Sequence, residues 1–193
     1  MRTFLLAAAT SAAALAAAPA AAQVSGPRVE AVIGYESARL DDFGSRDNVS
    51  ESAAVYGLGL GYDIPLGPTV ALGIDLEATD SAVNWRETST AFSSDLRRSL
   101  GRDLYAGGRI TAALSPALNL YAKAGYTNVA TRLDFTSPTF SEVIESDEGG
   151  LRVGGGAQFA VGANAYVGAE YRFSSYDGDL QRHQGVAALG FRF

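Results

Sequence analysis

The chain has 193 residues and a net charge of −6, with 15 basic residues against 21 acidic ones. That balance offers no basic footprint for a nucleic acid, and the absence of cysteine rules out disulfides and thiolate-held metal. Glycine is plentiful, charge is modest and aromatics recur, which excludes a disordered chain.

Residues 1–22 read as a secretory signal peptide. Arg2 supplies the positive start, Phe4 to Leu15 a short apolar stretch, and Ala20, Ala21 and Ala22 a small-x-small cleavage site. The stretch is shorter than the about 20 apolar residues of a membrane-spanning helix. Its only polar members, the adjacent Thr10 and Ser11, make no helical polar face. Residues 23–193 suit one domain by length, with Gln23 near the mature start. No later apolar run reaches helix-spanning length, so any membrane crossing falls to strands.

Period-two alternation marks eight strands. Over 28–36 the apolar face is Val29, Ala31, Ile33 and Tyr35. Over 53–63 it is Ala54, Tyr56, Leu58, Leu60 and Tyr62, and over 69–79 it is Val70, Leu72, Ile74, Leu76 and Ala78. Over 102–114 it runs Leu104, Ala106, Gly108, Ile110, Ala112 and Leu114, and over 118–127 Leu118, Leu120, Ala122, Ala124 and Tyr126. The remaining three are 151–161 (Leu151, Val153, Gly155, Ala157, Phe159, Val161), 165–174 (Ala165, Val167, Ala169, Tyr171, Phe173) and 181–193 (Ala187, Leu189, Phe191, Phe193). Each run is close to the about 9–11 residues a tilted strand needs to cross a bilayer.

The connections 65–68, 115–117 and 162–164 are tight turns, whereas 38–52, 81–101 and 128–150 are long and polar; only 175–180 is short on that second rim. Short turns on one rim and long loops on the other are the build of an outer-membrane barrel, with the long rim extracellular and both chain ends periplasmic. The expected fold is all-β: a monomeric, eight-stranded antiparallel up-and-down transmembrane β-barrel.

The two faces set its polarity. A soluble barrel turns apolar residues inward and polar ones outward. Here the non-apolar face is rich in glycine: Gly34, Gly57, Gly59, Gly61, Gly73, Gly107, Gly125, Gly154, Gly156, Gly168 and Gly190. Small residues fit a narrow eight-stranded bore and weaken a solvated strand without any packing return. The same face carries charges of both signs at mid-strand, Glu30, Asp75, Glu77, Arg109, Lys123, Arg152, Glu170 and Arg172, which a closed bore can pair. Aromatics of the apolar face gather toward strand ends, Tyr35, Tyr126, Tyr171 and Phe173 at the loop rim and Tyr62, Phe159, Phe191 and Phe193 at the turn rim; Tyr56 fits the loop side less cleanly. That is the pattern of two interfacial girdles.

With those strands in place, the chain resembles the small outer-membrane barrels of the OmpX type, the opacity proteins and the OmpA transmembrane domain, over essentially the whole mature sequence. The terminal Ala188-Leu189-Gly190-Phe191-Arg192-Phe193 resembles the signal read by the barrel-assembly machinery, through Phe191 and Phe193. Ala188 and Val186 depart from that signal where the family often has glycine and a polar residue. The resemblance implies that the inward charges pair into a plug. It also implies surroundings of outer-membrane lipid and lipopolysaccharide, with an extracellular ligand or host surface as partner. No counterpart of the wall-binding domain of OmpA is expected after the eighth strand, so wall tethering is not carried over.

Chemistry is sparse. His183, the single histidine, lies near Ser174, Ser175, Asp177 and Asp179, a conceivable Ser-His-Asp set. Yet His183-Gln184-Gly185 lacks the His-x-Ser pattern of lipid A deacylase barrels, and serine and aspartate are common in any rim loop. Asp41, Asp42, Asp177 and Asp179 form no full calcium loop, and Gly154-Gly155-Gly156 sits within a strand, so it is no nucleotide cradle. No cofactor or catalysis is expected. Trp85, Phe92, Phe135, Phe140 and Ile144 punctuate the long loops, either as strand extensions packing above the membrane, the favoured reading, or as a partner-binding surface. The expected role is envelope integrity or adhesion through the extracellular loops; the alternative is a narrow pore for small solutes.

Overall fold

The computed structural model describes residues 25–40, 49–89, 94–137, 139–177 and 180–193. The expected signal segment 1–22 and Gln23, Asp41, Asp42, Phe92 and Asp179 lie outside those residues. Every regular element among the described residues is a strand: β1 (Gly26–Leu40), β2 (Val49–Pro65), β3 (Val70–Ser81), β4 (Asn84–Ser89), β5 (Ser94–Ala113), β6 (Leu118–Ser137), β7 (Phe140–Ala160), β8 (Ala165–Tyr176) and β9 (Leu180–Arg192).

All pairings are antiparallel, and β1 pairs with β9 from Arg28↔Arg192 to Leu40↔Leu180, which closes the ring. β3 and β4 pair with the same strand, β5, one above the other, at Val70↔Ala112 to Thr79↔Asp103 and at Asn84↔Ser99 to Ser89↔Ser94. Together they are one stave, so nine segments make an eight-stranded up-and-down barrel.

The break between β3 and β4 has a local cause. Ala82 N–H donates to Ala54 at 3.1 Å, Val83 N–H to the Ser81 hydroxyl at 3.2 Å, and Leu100 N–H to the Val83 carbonyl at 3.1 Å. This geometry turns Val83 inward, where it is buried. Across from it, the β5–β6 register shifts between Leu100 and Asp103. An extra residue in one strand resets its alternation, and so Leu100 and Asp103 both face the bore.

Along the barrel wall the alternation is inverted relative to a water-soluble protein. Along β3, Ile74 is 64% exposed and Asp75 3%. Leu58, Leu60, Leu72, Leu76, Leu120 and Leu189 are likewise on the outside. A continuous apolar belt of this kind needs lipid against it. The turn rim is tight: Leu66 N–H donates to Val70 at 2.8 Å and Val161 N–H to Ala165 at 2.9 Å. Gly26 starts β1 at φ +97°, which side chains rarely adopt, and a Cβ there would also meet the Phe193 carbonyl.

The long rim differs from its sequence reading. β6 and β7 pair without a break up to Ser137↔Phe140, and β5 follows β6 as far as Asp95↔Thr136 with β4 beside it, so the stretches expected as loops over 81–101 and 128–150 are mostly strands that project together above the barrel. Residues 140–147 are exposed on both faces. Solvated on both sides, that segment has no single apolar face to reveal it as a strand.

Candidate functional site

The bore is filled with charge. Among the described residues, seven cations (Arg28, Arg109, Lys123, Arg152, Arg172, Arg182, Arg192) and seven acids (Glu30, Glu36, Asp63, Asp75, Glu77, Asp103, Glu170) are buried inside it, so the contents are neutral. Every stave supplies at least one. An ion taken out of water is tolerated only when it is compensated. Each of the fourteen side chains has at least one opposite charge within 4 Å, in three tiers, while atoms of Arg28, Asp75 and Arg109 among others make no hydrogen bond.

Nearest the turn rim, Arg28 pairs with Asp63 at 2.5 Å and with Asp75, and Arg192 reaches Asp63 at 3.1 Å. Glu30 accepts from the Tyr166 hydroxyl at 2.7 Å and from Gln158 at 3.0 Å. Arg109 lies 3.6 Å from Glu30 and stacks 3.6 Å over the Tyr121 ring. In the middle tier, Glu170 gathers Lys123 at 2.8 Å, Arg172 at 2.5 Å and the Tyr121 hydroxyl at 2.6 Å. Glu77 is held by Lys123 and by Arg172 at 2.9 Å. In the outer tier, Asp103 accepts from Thr127 at 2.6 Å, Tyr176 at 2.8 Å and Arg182 at 2.7 Å, and it also pairs with Arg152. Arg182 and Gln184 share Glu36, at 3.0 and 2.8 Å.

An apolar cap sits over this outer tier: Ala38, Val83, Leu100, Val129 and Leu180, with the ring of Tyr176 beneath them. Tyr176 joins the two zones, its ring among the apolar groups and its hydroxyl on Asp103. Glycines make room for the long side chains. A Cβ on Gly61 would run into the Arg28 guanidinium, and one on Gly190 into the Tyr166 ring.

All eight charges singled out from sequence, Glu30, Asp75, Glu77, Arg109, Lys123, Arg152, Glu170 and Arg172, are buried in the bore. Sequence reasoning missed six more, Arg28, Glu36, Asp63, Asp103, Arg182 and Arg192, together with Tyr105, Tyr121, Tyr166 and Tyr176. Alternation could have found most of them: Arg28 and Glu36 share the phase of Glu30, and Arg192 that of Gly190. On the outside, Tyr35, Tyr126 and Tyr171 are exposed toward the long rim, and Phe173 packs on His183 with ring centres 5.0 Å apart. Tyr62, Phe159, Phe191 and Phe193 are exposed toward the turn rim, the last two edge to face at 5.1 Å.

Among the described residues no hydrogen bond joins His183 to Ser174, Ser175 or Asp177, and Asp179 lies outside them. His183 lies on the outside with its Nδ1 2.7 Å from the Tyr171 hydroxyl. Ser174 points into the bore and accepts from Arg152 at 2.8 Å.

Residues 4–193 match the family described as the outer membrane protein beta-barrel domain. No curated protein matches the chain. Ail, the attachment invasion locus protein of Yersinia pestis, solved in complex with the heparin analogue sucrose octasulfate, is 18% identical with a TM-score of 0.56 over 87% of this chain and 99% of that one. Neisserial surface protein A is 16% identical with a TM-score of 0.57 over 88% and 98%. At such identities the likeness is one of fold. An apolar-out, charge-filled ring of eight strands, matched along nearly its whole length by that family, makes this chain a member of the bacterial outer-membrane β-barrel proteins.

Proposed function

We propose that the protein is a non-conducting surface barrel whose role is to hold a binding platform above the outer membrane, serving adhesion or envelope structure. One observation carries the reading: the bore is occupied from rim to rim by paired charges under an apolar cap, while strand length is spent on a hairpin projecting beyond it. A pore needs the reverse, an open lumen. The hairpin exposes Phe135, Phe140, Val143 and Ile144, more apolar surface than a solvated loop needs. Residues 140–148 hold four acids and no base, which favours a cationic partner over a polyanion at this hairpin.

The remaining assignments follow from that role. Residues 1–22 direct export, Phe191 and Phe193 mark the last strand for the assembly machinery, and the two aromatic sets seat the barrel at the interfaces, with lipopolysaccharide around the long rim. Planar bilayers test the plug: wild type carries no steady current, and Arg152→Ala or Glu170→Ala raises conductance. Steady current through the wild type would favour the narrow-pore reading instead. Protein folded in nanodiscs is expected to bind host cells and to leave lipid A and phospholipid intact. Hydrolysis lost in His183→Ala would assign an enzyme.

A further inference from the structure

The two ends of the bore close differently. Toward the long rim the apolar cap of Ala38, Val83, Leu100, Val129 and Leu180 offers water nothing to bind. At the other end a cavity of about 20 Å³ lies just inside the turn that joins β7 to β8. Asn119 of β6, Gln158 of β7, Tyr166 of β8 and Arg192 of β9 converge on it, with Ala160 and Asn164 beside them.

Asn119 sets the chemistry of this cavity. It pairs with Gln158 across the β6–β7 ladder, so the two carboxamides share the inward face. Asn119 is 4% exposed, and its Oδ1 accepts no hydrogen bond among the described residues. Arg28, Asp63, Asp75 and Arg109 also carry atoms without a hydrogen bond, but each of them has an opposite charge beside it. The neutral Asn119 has no such compensation, and a buried acceptor left unmade costs free energy. Gln158 is half served: its Nε2 donates to Glu30 at 3.0 Å, whereas its Oε1 meets Arg192 only at 3.4 Å. That is long for an N–H to oxygen bond, which usually spans about 2.7–3.2 Å, so the oxygen keeps room for a second donor.

Size and charge select the occupant. One water needs about 10–15 Å³ and two to four polar partners, and the cavity offers that and no more. An anion is opposed by the open lone pair of Asn119, and Arg28 and Arg192 are already paired with Asp63, at 2.5 and 3.1 Å. A cation is opposed by Arg192 on the cavity wall. We infer that the turn-rim mouth is a binding site for one ordered water, which donates to Asn119 Oδ1 and Gln158 Oε1 and accepts from the Arg192 guanidinium. Such a bridge is nearly as good as a direct hydrogen bond, and it ties Asn119 into the charged tier. The site stands whatever the long rim binds.

Magnetic relaxation dispersion of the water oxygen nucleus counts long-lived waters, and the sample is the full chain folded in nanodiscs. Asn119→Leu keeps the bulk of the side chain and removes the acceptor. Ala160→Val fills the cavity and leaves Asn119 in place. Each lowers the dispersion amplitude by the equivalent of one water relative to wild type, whereas Asn119→Asp keeps an acceptor and keeps the amplitude. Heat-modifiable migration identifies the variants that fold, and Ala160→Val decides alone if Asn119→Leu does not. An unchanged amplitude in either folded variant overturns the inference. A loss of several waters, or an equal loss in Asn119→Asp, overturns it as well.

Discussion

Arg182 of β9 and Asp103 of β5 meet across the full width of the bore, with Nη1 2.7 Å from Oδ2 and neither side chain exposed. The two strands stand on opposite sides of the ring, so this contact ties walls that no backbone ladder joins. Arg152 of β7 converges on the same carboxylate. Asp103→Asn keeps the shape and removes the charge, leaving two buried guanidinium groups short of their anion. A loss of about 3–5 kcal/mol is expected, read as a lowered denaturant midpoint for the barrel refolded in lipid. An unchanged midpoint would mean that water enters the outer tier.

How far the fold could be read in advance depended on lipid. Where lipid touches a strand, one face must be apolar, and Leu72, Ile74 and Leu76 announce β3 by that constraint alone. Above the lipid the constraint lapses. Glu142, Val143, Ile144 and Glu145 follow no period of two, although all four are in β7. Within the bore, phase identified inward residues but not their partners, because Asp103 meets Arg182 through the closure of the ring and not through neighbouring strands. The register shift beside Leu100 hid a further piece: it brings Leu100 to the inside against the alternation of Leu104, and the apolar cap depends on it.

Glycines on the two faces should respond differently to the same change. Gly190 faces the Tyr166 ring so closely that a methyl group must displace it, and Tyr166 is hydrogen-bonded to Glu30. Gly190→Ala is expected to cost about 1–3 kcal/mol as overpacking and to slow closure of β9. Gly185 has open space around its Cβ position. Gly185→Ala is expected to be neutral or to gain up to about 1 kcal/mol through a less flexible unfolded chain. Equal effects in paired refolding titrations would contradict the inward placement of Gly190.

Lys123 is the only lysine in the sequence, and it is buried between Glu77 and Glu170. A water-soluble amine-reactive reagent therefore has one side-chain target, which reports whether the plug opens. In the folded barrel Lys123 should stay unmodified, and after heat unfolding it should label fully, as peptide mass analysis would record. Arg152→Ala is expected to speed labelling of the folded form by loosening the tier above. Rapid modification of folded wild type would mean that the bore admits solutes from one of its rims.

The direction of the side chains makes the last prediction a comparison between solvents. Ile74 is at mid-strand on the outer face, and Leu66 lies in the turn between β2 and β3. If lipid surrounds the strands, Ile74→Lys places a charge near the centre of the bilayer and costs about 2–4 kcal/mol, whereas Leu66→Lys at the rim costs about 0–1 kcal/mol. Were the outer face in water, both changes would be close to neutral, because an exposed lysine there meets no penalty. Refolding into bilayers at matched lipid ratios separates the cases. A pair of nearly equal values would place the barrel in water, against the apolar surface that Leu58, Leu60, Leu72 and Ile74 build on one side of it.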